Sequence, residues 1–283
     1  MGSLLVNAGS LIWRVTPSRT VRELYLRAFL RLVRNRRKIA SVEGMTFDLD
    51  LGEMIDACLL LQRFERDVAE VIDKLCEPGS VVLDIGANIG AHALRFARAV
   101  GPEGQVLAFE PTDFAFRKLE KNISLNSFSS ISSFHLALSD ENRKAQEIRF
   151  RSSWRTDGKS VERRTTVDFA RLDDWLEQHQ IDRVDIVKID VDGNEFPVFN
   201  GARRMLEQFR PLVIMEVGAW HFQDPERNPV AVLEDLGYSF WDAKRKSRYS
   251  NLEEIRAELP AQDTEMGFSI NVIAATRAPK GMR

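Results

Sequence analysis

From Val81 to the end, the chain repeats a short apolar run followed by a stretch with helical periodicity. The apolar runs have the length of buried strands and fall at Val81–Ile85, Gln105–Phe109, Ile131–Leu138, Val184–Ile189, Leu212–Val217, Tyr238–Trp241 and Phe268–Ala274. The helical stretches between them are His92–Val100, Asp113–Leu125, Leu172–Gln178, Phe196–Gln208 and Pro229–Leu236. Strands that alternate with helices pair mostly in parallel, with helices on both faces. The pattern therefore predicts an α/β fold with a doubly wound, seven-stranded sheet.

A different pattern precedes this region. Residues 1–40 contain nine lysines and arginines against one acid, Glu23, although the whole chain carries a net charge of −2. The apolar residues of 21–33 recur at helical spacing, with arginines on the other face. A basic amphipathic helix can lie on an anionic membrane surface or dock on its own domain. The sequence leaves both open, so peripheral membrane contact through residues 21–38 is one expectation.

Residues 45–75 connect the basic stretch to the α/β region. Met45–Leu51 alternates apolar and polar residues, which predicts a half-buried strand. A helix is predicted from about Ile55 to Leu75, ending before the Pro78-Gly79 turn. We therefore expect an N-terminal appendage over residues 1–60 and a Rossmann-like domain over residues 61–283.

Several classes of protein are not indicated by the sequence. The two cysteines, Cys58 and Cys76, are far from any Cys/His pair at metal-ligand spacing, and no residue is assigned as a metal ligand. No run of eighteen apolar residues and no secretory signal peptide is present. We expect an intracellular protein, cytoplasmic or at the inner surface of a membrane.

The first chemical signal is the turn after the first predicted strand. The sequence Asp84-Ile85-Gly86-Ala87-Asn88-Ile89-Gly90 runs from a buried strand through two glycines into a helix. Gly86 and Gly90 allow a tight turn and a close approach of the backbone to a ligand. Glu110 ends the next strand about twenty residues later, where an acid can accept hydrogen bonds from ribose hydroxyls. The pair predicts a nucleoside-containing cofactor, the alternative being that Glu110 only caps the helix starting near Asp113.

The details of this turn favour one kind of nucleoside cofactor. The chain lacks the Gly-x-Gly-x-x-Gly sequence whose middle glycine admits a pyrophosphate. Asp84 would also repel a pyrophosphate but would attract an ammonium group. S-adenosylmethionine has an ammonium group, a sulfonium charge and a ribose diol, and it has no phosphate.

Three blocks of sequence together resemble the FkbM-type S-adenosylmethionine-dependent methyltransferases. They are the glycine loop, Phe109-Glu110-Pro111 with the helix ending at Asn122–Asn126, and Leu172-Asp173-Asp174 followed by Val187-Lys188-Ile189-Asp190-Val191-Asp192-Gly193-Asn194-Glu195. The last block departs from the family at Asp192, where a glutamate is usual. The resemblance spans about residues 64–274. It implies a class I methyltransferase fold with an antiparallel last strand, containing Asn271–Ala274, and O-methylation of a small molecule or a sugar.

The resemblance also implies cofactor-binding residues. Asp84, Gly86, Asn88 and Gly90 would line the methionine end of the cofactor, and Glu110 would hold the ribose. Asp140, which follows the third predicted strand, would lie near the adenine.

The acidic block offers candidates for catalysis. Lys188, Asp190 and Asp192 alternate along the strand direction and would share one side if the strand continued. Methyl transfer needs a nucleophilic oxygen in line with the sulfonium methyl and a base for the hydroxyl proton. Asp190 is the candidate base, with Lys188 to hold its charge. With Glu216 on the next strand, these carboxylates are also candidates to bind Mg²⁺ or to form a purely structural network.

A histidine and an aromatic residue follow the strand at Leu212–Val217. His221 is a second candidate base because imidazole titrates near neutral pH, although a loop histidine is more often solvated. Trp220, its neighbour, suits a loop that stacks on sugars. We assign the following residues to acceptor binding: Asp192, Glu195, Glu216 and Trp220.

These features predict an S-adenosylmethionine-dependent O-methyltransferase. The resemblance to the FkbM family implies that its acceptor would be a hydroxyl of a sugar in a polysaccharide, glycolipid or glycosylated metabolite. The alternatives are a Mg²⁺-assisted O-methyltransferase of a small diol or catechol-like metabolite, and a non-catalytic nucleoside-binding module. A nucleic-acid acceptor is disfavoured because the chain has no Asn/Asp-Pro-Pro-Tyr/Phe motif and the crevice candidates are acidic. The polar segment 139–167, with one strand-like stretch near 148–150, is predicted to lie beside the site.

Overall fold

The computed structural model describes residues 37–151, 162–259 and 269–282. Its strands are β1 (Arg37–Val42), β2 (Met45–Asp50), β3 (Val81–Ile85), β4 (Gln105–Phe109), β5 (Ile131–Phe134), β6 (Ala137–Ser139), β7 (Arg143–Arg151), β8 (Glu162–Arg171), β9 (Ile186–Ile189), β10 (Leu212–Gly218), β11 (Ser239–Asp242) and β12 (Ser269–Ala275). Its helices are α1 (Met54–Leu60), α2 (Arg66–Leu75), α3 (Ala91–Val100), α4 (Asp113–Ser124), α5 (Leu172–Gln178), α6 (Glu195–Gly201), α7 (Arg203–Phe209), α8 (Pro229–Asp235) and α9 (Leu252–Ala257).

The central element is a seven-stranded sheet in the order β11-β12-β10-β9-β3-β4-β5. The pairs β10–β9, β9–β3, β3–β4 and β4–β5 are parallel, whereas β12 runs antiparallel to both β10 and β11. The middle strands are mostly apolar because both faces of the sheet are covered, with Asp84 and Lys188 as charged exceptions near the strand ends. The prediction of a mostly parallel seven-stranded sheet with an antiparallel last strand is confirmed.

The carboxyl ends of the parallel strands carry the polar residues of interest. In the shared register Asp84 of β3 lies beside Lys188 of β9, and Ile85 lies beside Ile189. Below this edge, Phe109 packs edge-on against Trp175, with ring centroids 4.9 Å apart. This buried packing fixes the strand ends from which the site residues project.

Two predicted strand regions differ from the structure. The strand predicted at Ile131–Leu138 ends at Phe134, and β6 leaves to pair with β8 in a three-stranded sheet of order β6-β8-β7. The segment predicted to contain one strand near 148–150 contains two longer ones, β7 and β8. Those expectations were wrong because β6 pairs with β8, and β8 with β7, so the limits of these strands depend on partners outside the local sequence.

The single helix predicted at Phe196–Gln208 is also two helices, α6 and α7. A Cβ on Gly201 would lie 1.9 Å from the carbonyl oxygen of Ser139, so the end of α6 approaches another backbone too closely for any side chain. The carboxylate of Asp173 then accepts hydrogen bonds from the Arg204 and Met205 amides, at 3.0 and 2.9 Å. It satisfies amides in the first turn of α7, which would otherwise lack partners, and so stabilises a new start.

The helix predicted at about Ile55–Leu75 is divided as well. Gln62 and Glu65 adopt positive φ angles of 54° and 33°, and α1 and α2 lie on either side of them. Left-handed backbone at these positions ends a right-handed helix.

The described residues fall into two compact units. The first contains residues 37–66, 124–126, 148–151 and 162–165, and the second contains the remaining described residues. In the first, β1 and β2 form an antiparallel hairpin. The predicted domain boundary at residue 60 stays a prediction.

The basic amphipathic helix predicted at residues 21–33 lies outside the described residues. Arg37 and Lys38, at the end of the basic stretch, begin strand β1. Among the described helices, none has the length and apolar character needed to cross a bilayer.

Candidate active site

The glycine loop between β3 and α3 forms one wall of the candidate site. Gly86, Asn88 and Gly90 have positive φ angles of 78°, 49° and 89°. A Cβ on Gly86 would lie 1.9 Å from the carbonyl oxygen of Asp190, so the loop touches the backbone at the end of β9. Glycine is therefore required at position 86 for both its backbone angle and its lack of a side chain.

Glu110 follows β4 and is buried against the same loop. Its carboxylate accepts hydrogen bonds from the Asn88 amide at 2.9 Å, the Thr112 amide at 2.8 Å and the Thr112 hydroxyl at 2.5 Å. Burial raises the pKa of Glu110, and these hydrogen bonds and the charge of Lys188 oppose that shift. A carboxylate has about four lone-pair sites, so little of this group is left for a ligand. Thr112 was not identified from the sequence, where a threonine two residues after an acid carries no distinctive signal.

Lys188 connects the two strands at the centre of the site. Its ammonium group lies 3.3 Å from the Gly86 carbonyl oxygen, 3.5 Å from an Asp190 carboxylate oxygen and 3.7 Å from Asp84. Lys188 is 5% exposed and Asp84 is fully buried, whereas Asp190 is partly exposed. The structure therefore brings the predicted base and the predicted lysine together. It also shows that Asp84 contacts this lysine from inside the sheet.

The acidic turn after β9 brings further carboxylates together. The strand ends at Ile189, and Asp192 lies in a turn with φ of 51° instead of continuing the strand. Carboxylate oxygens of Asp190, Asp192 and Glu216 nevertheless lie within 4.8 Å of one another. Asp192 is exposed, yet its pKa is raised, first because surrounding atoms desolvate the carboxyl group and then because Asp190 and Glu195 repel its charge. These carboxylates form the one group in the described residues whose geometry could hold a divalent cation.

Glu195 and His221 form a buried pair beside this turn. The carboxylate of Glu195 lies 2.7 Å from Nε2 of His221, and the residues are 1% and 4% exposed. The other oxygen of Glu195 accepts from the Val191 amide at 3.0 Å. Trp220 is partly exposed, and its indole nitrogen lies 2.9 Å from His221 Nε2. His221, the second candidate base, is therefore inside the protein and not solvated, and Glu195 faces it.

Asp140 is not where the sequence pattern placed it. The third parallel strand, β5, ends at Phe134, and Asp140 follows β6 in the smaller sheet. Its side chain accepts from the Ser139 hydroxyl at 3.1 Å, and its backbone lies beside Gly201. The premise that Asp140 follows the third strand of the main sheet was wrong, because β5 and β6 were taken for one strand.

The comparison with protein families bears directly on this arrangement. The model of the methyltransferase FkbM domain matches residues 84–270, from the glycine loop into β12. The chain belongs to the FkbM methyltransferase family. The match covers well over half of the chain and confirms the resemblance seen in its three sequence blocks. S-adenosylmethionine is the expected cofactor of an FkbM methyltransferase.

Two curated relatives give the range of this family likeness. The chain is 27% identical over 163 residues to the 2-O-methyltransferase NoeI of Sinorhizobium fredii, a match that covers 50% of this chain and 65% of that protein. It is 29% identical over 161 residues to the hexuronic acid methyltransferase AglP of Haloferax volcanii, covering 56% and 64%. The chain thus spans somewhat less than two thirds of the length of these relatives.

Solved structures are similar over most of the chain. The methyltransferase FkbM of Methylobacillus flagellatus KT has 15% sequence identity and a TM-score of 0.43, covering 90% of this chain and 59% of that one. The fibrillarin of Aeropyrum pernix, solved with bound S-adenosyl-L-methionine, has 14% identity and a TM-score of 0.43, covering 74% of each chain.

The charges at the strand ends suit a cationic cofactor. The carboxylates gathered here outnumber the single lysine, Lys188: Asp84, Glu110, Asp190, Asp192, Glu195 and Glu216. S-adenosylmethionine carries an ammonium and a sulfonium charge, which such an excess of negative charge attracts. The residues present therefore fit the cofactor that the family implies.

Proposed function

We propose that this protein is an S-adenosylmethionine-dependent O-methyltransferase that methylates a hydroxyl group of a sugar. The observation that carries the proposal is the meeting of Asp190 and Lys188 at the carboxyl ends of the central strands. They lie beside the glycine loop on one side and the carboxylates of Asp192 and Glu216 on the other.

Asp190 is the proposed general base. The cofactor supplies a methyl group on a positively charged sulfur, and the acceptor hydroxyl must lose its proton as it attacks. Asp190 is partly exposed, so an acceptor can reach its carboxylate. The ammonium group of Lys188, 3.5 Å away, stabilises the negative charge of this base and lies close to the Gly86 backbone. The two contacts of Lys188, with Asp190 and with Gly86, hold the base at a fixed distance from the glycine loop.

His221 is less suited to act as the base. It is buried, and both of its ring nitrogens already have hydrogen-bond partners within the protein. A base must reach the proton that it accepts, and a buried imidazole cannot do so without the loop opening. We therefore assign the proton transfer to Asp190.

The acceptor side of the proposal rests on three residues and on the relatives. Asp192 and Glu216 can accept hydrogen bonds from a polyol, and Trp220 offers a partly exposed indole beside Gly193. Carboxylates next to an aromatic ring suit a molecule with hydroxyl groups around an apolar ring face. The relatives NoeI and AglP, named as a 2-O-methyltransferase and a hexuronic acid methyltransferase, support transfer to an oxygen atom and a sugar acceptor.

The test measures methyl transfer from isotope-labelled S-adenosylmethionine to a panel of acceptors. The panel contains neutral oligosaccharides, uronic-acid oligosaccharides, catechol and RNA. We expect transfer to a sugar, a loss of about 10²–10⁴-fold in Asp190→Asn, and little change in Asp113→Asn, whose carboxylate lies outside this cluster. Transfer only to catechol or RNA would refute the sugar assignment. Failure of the folded protein to bind S-adenosylhomocysteine would refute the cofactor site.

A metal-assisted reaction is the second candidate because carboxylate oxygens of Asp190, Asp192 and Glu216 converge within 4.8 Å. In that case the three carboxylates would bind a divalent cation that orients two hydroxyls of the acceptor. The same assay with Mg²⁺ and with a chelator distinguishes the two candidates. Activity that survives exhaustive chelation favours the base alone, and activity that returns only with Mg²⁺ favours the metal.

The basic stretch at residues 1–40, of which residues 1–36 lie outside the described part of the chain, supports a further proposal about location. Residues 1–40 carry a net charge of +8, which favours contact with an anionic membrane that presents a lipid-linked acceptor. Co-sedimentation with anionic liposomes tests it by comparing the full chain with a chain that lacks these residues. Equal partitioning of both chains would contradict the proposal.

A further inference from the structure

The buried Glu195–His221 pair links two turns that both face the proposed site. Glu195 begins α6, directly after the acidic turn that holds Asp190 and Asp192. His221 lies in the short turn after β10 that also holds Trp220. Their side chains meet at 2.7 Å, and Glu195 also binds the Val191 amide inside the acidic turn. The pair thus connects the turn of the proposed base to the turn of the proposed acceptor platform.

The hydrogen bonds around His221 select one tautomer. The Gly218 amide donates to Nδ1 at 3.2 Å, so Nδ1 must carry the lone pair. A neutral imidazole then carries its proton on Nε2, which donates to the carboxylate of Glu195. Both contacts require the same tautomer, and the bond to the carboxylate is the stronger because one partner is charged.

Trp220 contacts the same ring. Its indole nitrogen lies 2.9 Å from His221 Nε2, and an indole N–H can only donate, so this contact by itself would favour a lone pair on Nε2. The shorter contact with the charged carboxylate of Glu195 outweighs it. Trp220, the partly exposed member of the group, is thus held against the buried pair.

We infer that Glu195 and His221 are positioning residues that brace the two turns and hold Trp220 against the ring of His221. The inference rests on the proposed function, since Asp190 and Trp220 belong to the site proposed there. Neither member of the pair touches the reacting atoms. They act by fixing the distance between the Asp190 turn and the Trp220 turn, where displacement by about 1 Å can cost a hundredfold in rate.

The first measurement is independent of activity. Nitrogen-15 NMR of the histidine rings in the full chain distinguishes a protonated from an unprotonated ring nitrogen. We expect His221 to have Nε2 protonated and Nδ1 unprotonated at neutral pH. In Glu195→Gln the side-chain amide presents a donor to Nε2, so the other tautomer should gain population. A wild-type His221 protonated on Nδ1 would overturn the inference.

The second measurement separates kcat from KM for the sugar acceptor. His221→Phe should lower kcat/KM by about a hundredfold, and His221→Gln, whose amide can still donate to Glu195, should recover part of that loss. Affinity for S-adenosylhomocysteine should not change in either variant.

A matched control shows what a merely structural role would look like. Tyr249→Phe removes a buried hydroxyl that donates to Asp242 and Glu258. It should lower the unfolding temperature without altering kcat or KM. If His221→Phe behaves like this control, the positioning role is refuted. If the wild type methylates no sugar, the proposed function fails, while the tautomer measurement still decides the state of the pair.

Discussion

Replacement of Gly86 by alanine tests the close approach between the glycine loop and the end of β9. At this position φ is 78°, and an alanine Cβ would lie 1.9 Å from the Asp190 carbonyl oxygen. A left-handed backbone angle costs about 1–2 kcal/mol for a residue with a Cβ. Since real Cβ contacts are not shorter than 3.0 Å, the two backbones must also separate by about 1 Å. Overpacking of this kind adds about 1–3 kcal/mol.

Gly79 provides the matched control for this experiment. It has nearly the same φ, 81°, but a Cβ there would meet no atom within 4 Å. Gly79→Ala should therefore lose only about 1–2 kcal/mol of unfolding free energy, the cost of the backbone angle. Urea unfolding of both variants isolates the contribution of the contact with Asp190.

The same substitution should also affect the site. A shift of about 1 Å at Asp190 would lower the methyl transfer rate by about a hundredfold, whereas Gly79→Ala should leave it unchanged. The reasoning is refuted if the two variants lose equal stability, because the steric contact at Gly86 would then contribute nothing.

Three further predictions concern the charged residues of the site. Lys188→Met should lower the free energy of unfolding by about 3–5 kcal/mol, because the buried Asp84 carboxylate loses its cationic partner. Adding Asp84→Asn should recover part of this loss. Additive effects of the two substitutions in urea unfolding would contradict the pairing. Asp192→Asn should stabilise the fold at pH 7. The pKa of Asp192 is higher in the folded state than in the unfolded chain, so keeping the carboxylate ionised at pH 7 destabilises the fold. The gain in unfolding free energy should shrink as the pH falls towards about 4, where the carboxyl group is protonated in the native protein. Glu110→Gln should instead destabilise the fold at pH 7, although the pKa of Glu110 is also raised. The reason is that the NH₂ group of the glutamine side chain would face the hydrogen-bond donors that the carboxylate now satisfies. A variant that is more stable than the wild type in thermal unfolding would contradict this.

Much of the main sheet could be predicted because its signals are local. Val81–Ile85 and Gln105–Phe109 are mostly apolar runs bounded by turns, and both strands have the predicted limits. A buried parallel strand needs apolar residues on both faces, so its sequence shows its length directly. The Gly86–Gly90 turn could also be predicted from the sequence, because backbone positions with a positive φ favour glycine.

Elements whose limits depend on distant partners could not be predicted in the same way. The break between α6 and α7 is stabilised by Asp173, which is about thirty residues away in the chain. The division of Ile131–Leu138 arises because β6 pairs with β8. No periodicity in the local sequence encodes a cap or a strand partner supplied from elsewhere.

The sequence by itself determined the family, the mostly parallel sheet and the set of polar residues at its carboxyl edge. These could be predicted because short apolar runs and glycine turns are patterns among neighbouring residues. Only the tertiary structure decided how those residues pair. It placed Glu195 against His221 inside the protein, set Lys188 between Asp84 and Asp190, and placed Asp140 after β6, a strand of the smaller sheet. The physical reason is that hydrogen bonds and ion pairs depend on distances of a few ångströms between side chains. Those distances are fixed only when strands far apart in the sequence pack side by side.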